Sequence, residues 1–105
     1  MKIVWTRRAS ADLVRLHAFL EPAAPGAAAR VVQQLARAPD RLIEYPRIGE
    51  KLEAYEPREV RRIIVGHYEL RYEIADAAIF ILRLWHSRED RREGGSIDDA
   101  AKLIV

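Results

Sequence analysis

Between Arg58 and Arg88 the chain carries six arginines (Arg58, Arg61, Arg62, Arg71, Arg83 and Arg88) and two of its three histidines, His67 and His86. Over the full 105 residues, 15 of the 18 basic side chains are Arg and only three are Lys. A guanidinium presents a planar fork of donors that fits phosphate or carboxylate, so this preference points to contact with one or the other. High-GC codon usage gives the same bias, and the many alanines fit that cause as well. Residues 1–92 hold 17 basic and 13 acidic side chains, a balance of +4, whereas residues 93–105 hold one and three, a balance of −2. A nucleic acid or a protein with an acidic segment suits such a chain as partner but is not demanded by it.

Other chemistry is excluded more firmly. There is no cysteine, hence no disulfide, thiolate nucleophile or Cys-based zinc site. His17, His67 and His86 are scattered without ligand spacing, and no metal or cofactor is expected. Glu50, Glu53 and Glu56 could place a base in the stretch Arg47–Pro57, although three acids among its residues are unremarkable. No apolar run approaches the roughly 18 residues that cross a bilayer. The start, MKIVWTRRAS, lacks a signal-peptide pattern, so a cytoplasmic location is expected.

The arginines sit on elements that the hydrophobic pattern defines. Val60–Val65 is closed by Gly66-His67, and Tyr68–Ile74 then alternates strictly, with Glu69, Arg71 and Glu73 opposite Tyr68, Leu70, Tyr72 and Ile74. Ile79–Trp85 is apolar on both faces apart from Arg83. Period-two runs split by short turns predict an antiparallel three-stranded meander. Gly66-His67 suits a two-residue turn with positive φ at the glycine, and Ala75-Asp76-Ala77 a slightly longer one. The last strand, apolar on both sides, is expected to be central or covered twice.

Upstream, Lys2–Trp5 is a short β-prone run and Thr6 a good N-cap. Ala9, Leu13, Leu16 and Leu20 then form one helical stripe. Pro22-Ala-Ala-Pro25-Gly26 separates it from a second helical pattern through Val31, Leu35, Ala38 and Leu42, which predicts either one helix kinked at Pro39 or two nearly collinear pieces. Tyr45-Pro46 ends it. After Arg92, Ser96-x-x-Asp99 resembles a capping box in a tail, 93–105, expected to be a short helix or disordered. The expected fold is α+β, in the order β-α-α-β-β-β. An antiparallel sheet of the N-terminal strand, at an edge, and the meander is covered by an antiparallel helical hairpin.

The ordered motifs VWTRRASADLVRLHAFL, PGAAARVVQQL, YPRIG, REVRRIIVGHYELRYEI and IFILRLWHSRED resemble the RelE/ParE superfamily of toxins from bacterial type II toxin–antitoxin systems. The resemblance spans residues 2–90, and residues 1–92 are taken as the toxin domain. Its ParE-like branch inhibits DNA gyrase by protein–protein binding; its RelE-like branch cleaves messenger RNA on the ribosome. The W-T-x-x-A-x-x-D-L opening, the aromatic-Pro-x-x-Gly turn and the Trp-His-x-Arg ending favour ParE. The resemblance implies a cognate antitoxin in a hetero-oligomer and DNA gyrase as target. Nucleic acid is then met only through the antitoxin or, in the alternative, as mRNA on the ribosome.

For the nuclease alternative the resemblance implies Arg58, Arg62, Arg83, His86 and Arg88 as catalytic candidates. Attack by a ribose 2′-OH needs a base, cations for the phosphorane and a proton donor. The bland readings compete: Arg61, Arg62 and Arg71 as the solvated side of a half-buried sheet, Arg83 as the cross-strand partner of Glu73 or Glu69, and His86 as a hydrogen-bonding loop anchor. For the binding alternative, Val14, Phe19, Arg61 and Arg71 are the candidate antitoxin contacts. Leu13, Leu16 and Leu20 are assigned to the core, and Trp5 and Trp85 to the core or a sheet face.

Overall fold

The structure is a computed structural model and describes residues 1–89. The tail expected over 93–105 lies outside the described residues. The elements are β1 (Lys2–Trp5), α1 (Arg7–Leu20), α2 (Pro25–Arg37), α3 (Asp40–Glu44), β2 (Glu50–Lys51), β3 (Glu59–Val65), β4 (Tyr68–Ala75) and β5 (Ala78–His86). The order β-α-α-β-β-β holds, with two short additions. Pro39 divides the second helical pattern into α2 and α3, and the two-residue β2 joins the sheet beside β3.

The sheet runs β1-β5-β4-β3-β2. The meander β3-β4-β5 is antiparallel as the alternation requires, and β5 lies inside the sheet. Gly66 has φ +61°, the positive value expected for the first of two turn residues. The second hairpin is tighter than expected: Ala75 faces Ala78, so the turn is Asp76-Ala77 alone, with φ of +51° and +59°.

One expectation fails. β1 occupies the edge but pairs parallel to β5, in register Lys2↔Ala78 to Trp5↔Ile81, so the sheet is mixed. Parallel neighbours need a long crossover. Here the whole chain between Trp5 and Ala78 is that crossover, and no local turn fixes the direction of β1.

β1 ends before β5 does, and α1 takes over the open edge. The Thr6 hydroxyl donates to the Ile81 carbonyl at 2.6 Å and accepts from the Ala9 N–H at 3.2 Å, joining helix cap to strand. One turn on, Asp12 Oδ2 accepts from the Leu84 N–H at 2.8 Å, and Arg15 Nη2 donates to the Leu84 carbonyl at 2.7 Å. Polar side chains of the helix thus satisfy backbone groups that β1 is too short to reach.

Two apolar layers result. Ala9, Leu16, Leu35 and Leu42 pack on Ile63, Leu70, Tyr72, Ile79, Ile81 and Leu84 between helices and sheet. On the far face Val60, Leu82 and Trp85 form a second cluster, roofed by Leu52, Tyr55 and Phe80. A bulge between Arg71/Tyr72 on β4 and their β5 partners shifts the register there.

Candidate functional site

The far face of the sheet gathers four of the six arginines between Arg58 and Arg88, namely Arg58, Arg62, Arg71 and Arg83. Arg62 on β3 faces Arg71 on β4, which faces Arg83 on β5. Trp85 lies among them, with the Arg71 and Arg83 guanidinium carbons 4.8 and 4.9 Å from its ring centroid. Four like charges on one face would repel, and carboxylates neutralise each. Glu69, expected on the solvent side, is only 3% exposed. It accepts from Arg71 Nε and, at 3.4 Å, from Arg62 Nη1. Arg62 also grips Glu50 at 2.7 Å, and this bond is the main reason its pKa is raised further. Arg71 reaches the Tyr55 hydroxyl at 3.2 Å. Arg58 binds Glu73 through two parallel bonds of 3.0 and 2.9 Å.

Arg83 corrects the sequence reading. Its guanidinium is held not from across the hairpin but by Asp12 of α1, at 2.8 Å from Nε and 3.3 Å from Nη2. Glu73 and Glu69, the expected partners, serve Arg58 and the Arg62–Arg71 pair. Nor is the Arg-bearing face simply solvated, because the Arg71 side chain is 18% exposed and packed in this network.

His86 and Arg88 lie apart from the cluster. Alternation along β5 puts Trp85 on the far face and His86 on the helical side, where its ring meets Tyr68 at 5.0 Å and Phe19 at 5.4 Å. Its Nδ1 accepts the Arg88 N–H at 3.0 Å. Burial, then the charges of His67 and Arg88, lower its pKa below 6.5. A neutral imidazole with one nitrogen occupied, on the other side of the sheet, is poorly placed to protonate a group held by Arg62 or Arg71. Arg88 is exposed.

Of the four candidate antitoxin contacts, Val14 and Phe19 stand exposed on α1, at 72% and 48%. Arg61 is turned inward: it binds Glu59 at 2.9 Å and the Gly49 carbonyl at 2.7 Å, fastening the loop before β2. Arg71 is engaged as described. Sequence reasoning overlooked Tyr55 and missed the roles of Glu69, which holds Arg62 and Arg71, and of Asp12, which holds Arg83. Asp12 alone carried a signal, since aspartate in mid-helix is a weak helix former that needs some compensating role.

Comparison with known proteins agrees with this architecture. A family model described as ParE toxin of type II toxin–antitoxin system, parDE, matches residues 3–91. The chain is 37% identical to Toxin RelE2 of Caulobacter vibrioides over 86 residues, covering 82% of this chain and 94% of that protein. A solved structure described as the chromosomal ParDE TA system from P. aeruginosa superposes with a TM-score of 0.70 at 24% identity, covering 82% of this chain and 95% of that one, a likeness of fold. The family-model match, which spans nearly all of the described residues, places this chain in the ParE toxin family of type II toxin–antitoxin systems.

Proposed function

We propose that this toxin acts by binding DNA gyrase rather than by cutting RNA, and that a cognate antitoxin neutralises it by covering exposed apolar side chains of α1. The neutralised arginine face supports the first half. Phosphoryl transfer needs cations free to meet a developing charge. Arg58, Arg62, Arg71 and Arg83 are each bound to a carboxylate, and His86 lies on the opposite face. A phosphate arriving there must first displace Glu69, Glu73 or Asp12. Membership of a toxin–antitoxin family supports the second half, together with the exposure of the apolar side chains Val14 and Phe19 on α1.

One observation favours the other reading, a ribosome-dependent endoribonuclease. Four arginines, Glu69 and Tyr55 do converge on one sheet face, and the ribosome could rearrange them. Inducing the protein alone in growing bacteria separates the two. Double-strand breaks and filamentation with intact messages are expected. Rapid in-frame cleavage of translated messages with undamaged DNA would install the nuclease instead.

A further inference from the structure

The excess positive charge of the described chain is not on the arginine-rich sheet face, where carboxylates match it. Arginines with no ion pair to a described residue stand instead on the helices, Arg7 and Arg8 on α1 and Arg30, Arg37 and Arg41 on α2 and α3, and those of α2 and α3 share one groove. From Pro25 to Arg37, α2 has no acidic residue. Arg30, Gln33, Gln34 and Arg37 recur at helical spacing on its exposed side, and Arg41 continues them on α3. Together with Ala38, Asp40 and Val65 they line a surface groove of about 560 Å³. Arg30, Arg37 and Arg41 are exposed and make no ion pair with any described residue, Asp40 included. An ordinary solvated helix face mixes both signs at i,i+4 spacing. This one does not.

We propose that the groove formed by Arg30, Gln33, Gln34, Arg37 and Arg41 is a docking surface for the phosphodiester backbone of duplex DNA. Arg30 and Arg37 stand two turns apart, about 10 Å along the axis, so they engage successive points on an extended polyanion rather than one small anion. Arginine and glutamine side chains are among the usual donors to backbone phosphates. An acidic protein segment fits less well, because hot-spot contacts pack into desolvated pockets, and the apolar lining among the described residues is only half-buried Ala38 and Val65, which gives a partner's anchor no pocket to fill. A single strand fits less well too, since the groove has no aromatic side chain on which bases could stack. The choice of DNA over an RNA duplex rests on the gyrase reading, which sets the toxin beside duplex DNA. This contact is direct, in contrast to the expectation that nucleic acid is met only through the antitoxin.

Three cations give weak, sequence-independent and salt-sensitive binding. Anisotropy of a labelled mixed-sequence duplex, titrated with the purified full chain over a salt series, measures it. The variant Arg30→Gln/Arg37→Gln/Arg41→Gln is expected to lose affinity about tenfold or more. Its log K against log salt slope should become shallower by about 2.7, or roughly 0.9 per phosphate contact. The control Lys2→Gln/Arg7→Gln/Arg8→Gln removes the same charge elsewhere and should change both much less. Should the groove triple fold poorly, Arg37→Gln alone is expected to show the same trend at about a third of the slope change. The proposal is overturned by equal losses in both triples, by absence of binding in the wild type, or by tighter groove-dependent binding of duplex RNA or polyglutamate. Gyrase supercoiling measured on the same preparations tests the underlying reading separately. A toxin that inhibits gyrase without binding DNA overturns the docking surface alone. One that binds DNA through the groove but leaves gyrase active keeps the surface and overturns the gyrase reading.

Discussion

Gly49 ends the Tyr45-Pro46-Arg47-Ile48 turn at a point where no side chain fits. A Cβ there would lie 2.6 Å from the Arg62 carbonyl oxygen and 2.6 Å from the Tyr72 hydroxyl. That hydroxyl accepts from the Gly49 N–H at 3.0 Å and donates to the Pro46 carbonyl at 2.8 Å, so one buried group pins both ends of the turn. Gly49→Ala is expected to destabilise by about 1–3 kcal/mol through overpacking, and Tyr72→Phe by about 1–3 kcal/mol through unsatisfied backbone groups. The double variant should fall short of their sum in urea unfolding, because the two changes share the hydroxyl. Full additivity would show that the turn is not pinned there. A second residue-scale expectation concerns His86, whose folded pKa lies below 6.5 mainly through burial. As pH falls through the window just below 6.5, the unfolded chain takes up a proton that the folded chain refuses. Stability must therefore fall with pH in that window. His86→Gln should flatten the stability curve between about pH 7 and pH 5, and an unchanged slope would count against the burial.

At the scale of elements, the joint between α1 and β5 rests on Asp12. Its carboxylate, with the side chain 5% exposed, holds Arg83, the Leu84 N–H and Arg15 at once. Removing one partner of a buried pair leaves a charge uncompensated, so Asp12→Ala is expected to cost about 3–5 kcal/mol. Asp12→Leu with Arg83→Met should recover part of that loss in thermal unfolding, and no recovery would mean that the Leu84 contact dominates. The Asp76-Ala77 turn gives the opposite sign. Ala77 is exposed with φ +59°, a region costly to residues bearing a Cβ, so Ala77→Gly should stabilise by about 1 kcal/mol. These two cases divide what the sequence discloses. The meander, its Gly66 turn, the Thr6 cap and the interior place of β5 are written in local spacing and were legible. The direction of β1, the partner of Arg83 and the burial of Glu69 depend on residues some 70 positions apart or on the loop Leu52–Tyr55 closing over Trp85. The stretch Arg47–Pro57, notable in the sequence for its three acids, supplies Leu52 and Tyr55 to cover a second apolar cluster.

For the whole molecule, a domain with a radius of gyration of 13.3 Å leaves Val14, Phe19, Ile43, Tyr45, Ile48 and Ile64 about half exposed or more. Singly exposed apolar side chains are ordinary, but a toxin of this family has an antitoxin to bury some of them, and α1 presents two, with Phe19 against His86 at the end of β5. Val14, at 72% exposure, contributes little to the free protein, so Val14→Ser should leave unfolding within about 0.5 kcal/mol of wild type. If antitoxin covers this face, the same change should weaken its binding about tenfold, equivalent to about 1.4 kcal/mol. Leu16, fully buried on the same helix, should behave in reverse: Leu16→Ala is expected to cost about 2–5 kcal/mol of stability. Its effect on antitoxin binding should appear only as a smaller folded fraction. Isothermal titration of each folded variant with antitoxin, beside urea unfolding without it, reads both quantities. Wild-type affinity in Val14→Ser would remove Val14 from the antitoxin interface and turn attention to Phe19, Ile43, Tyr45 and Ile48.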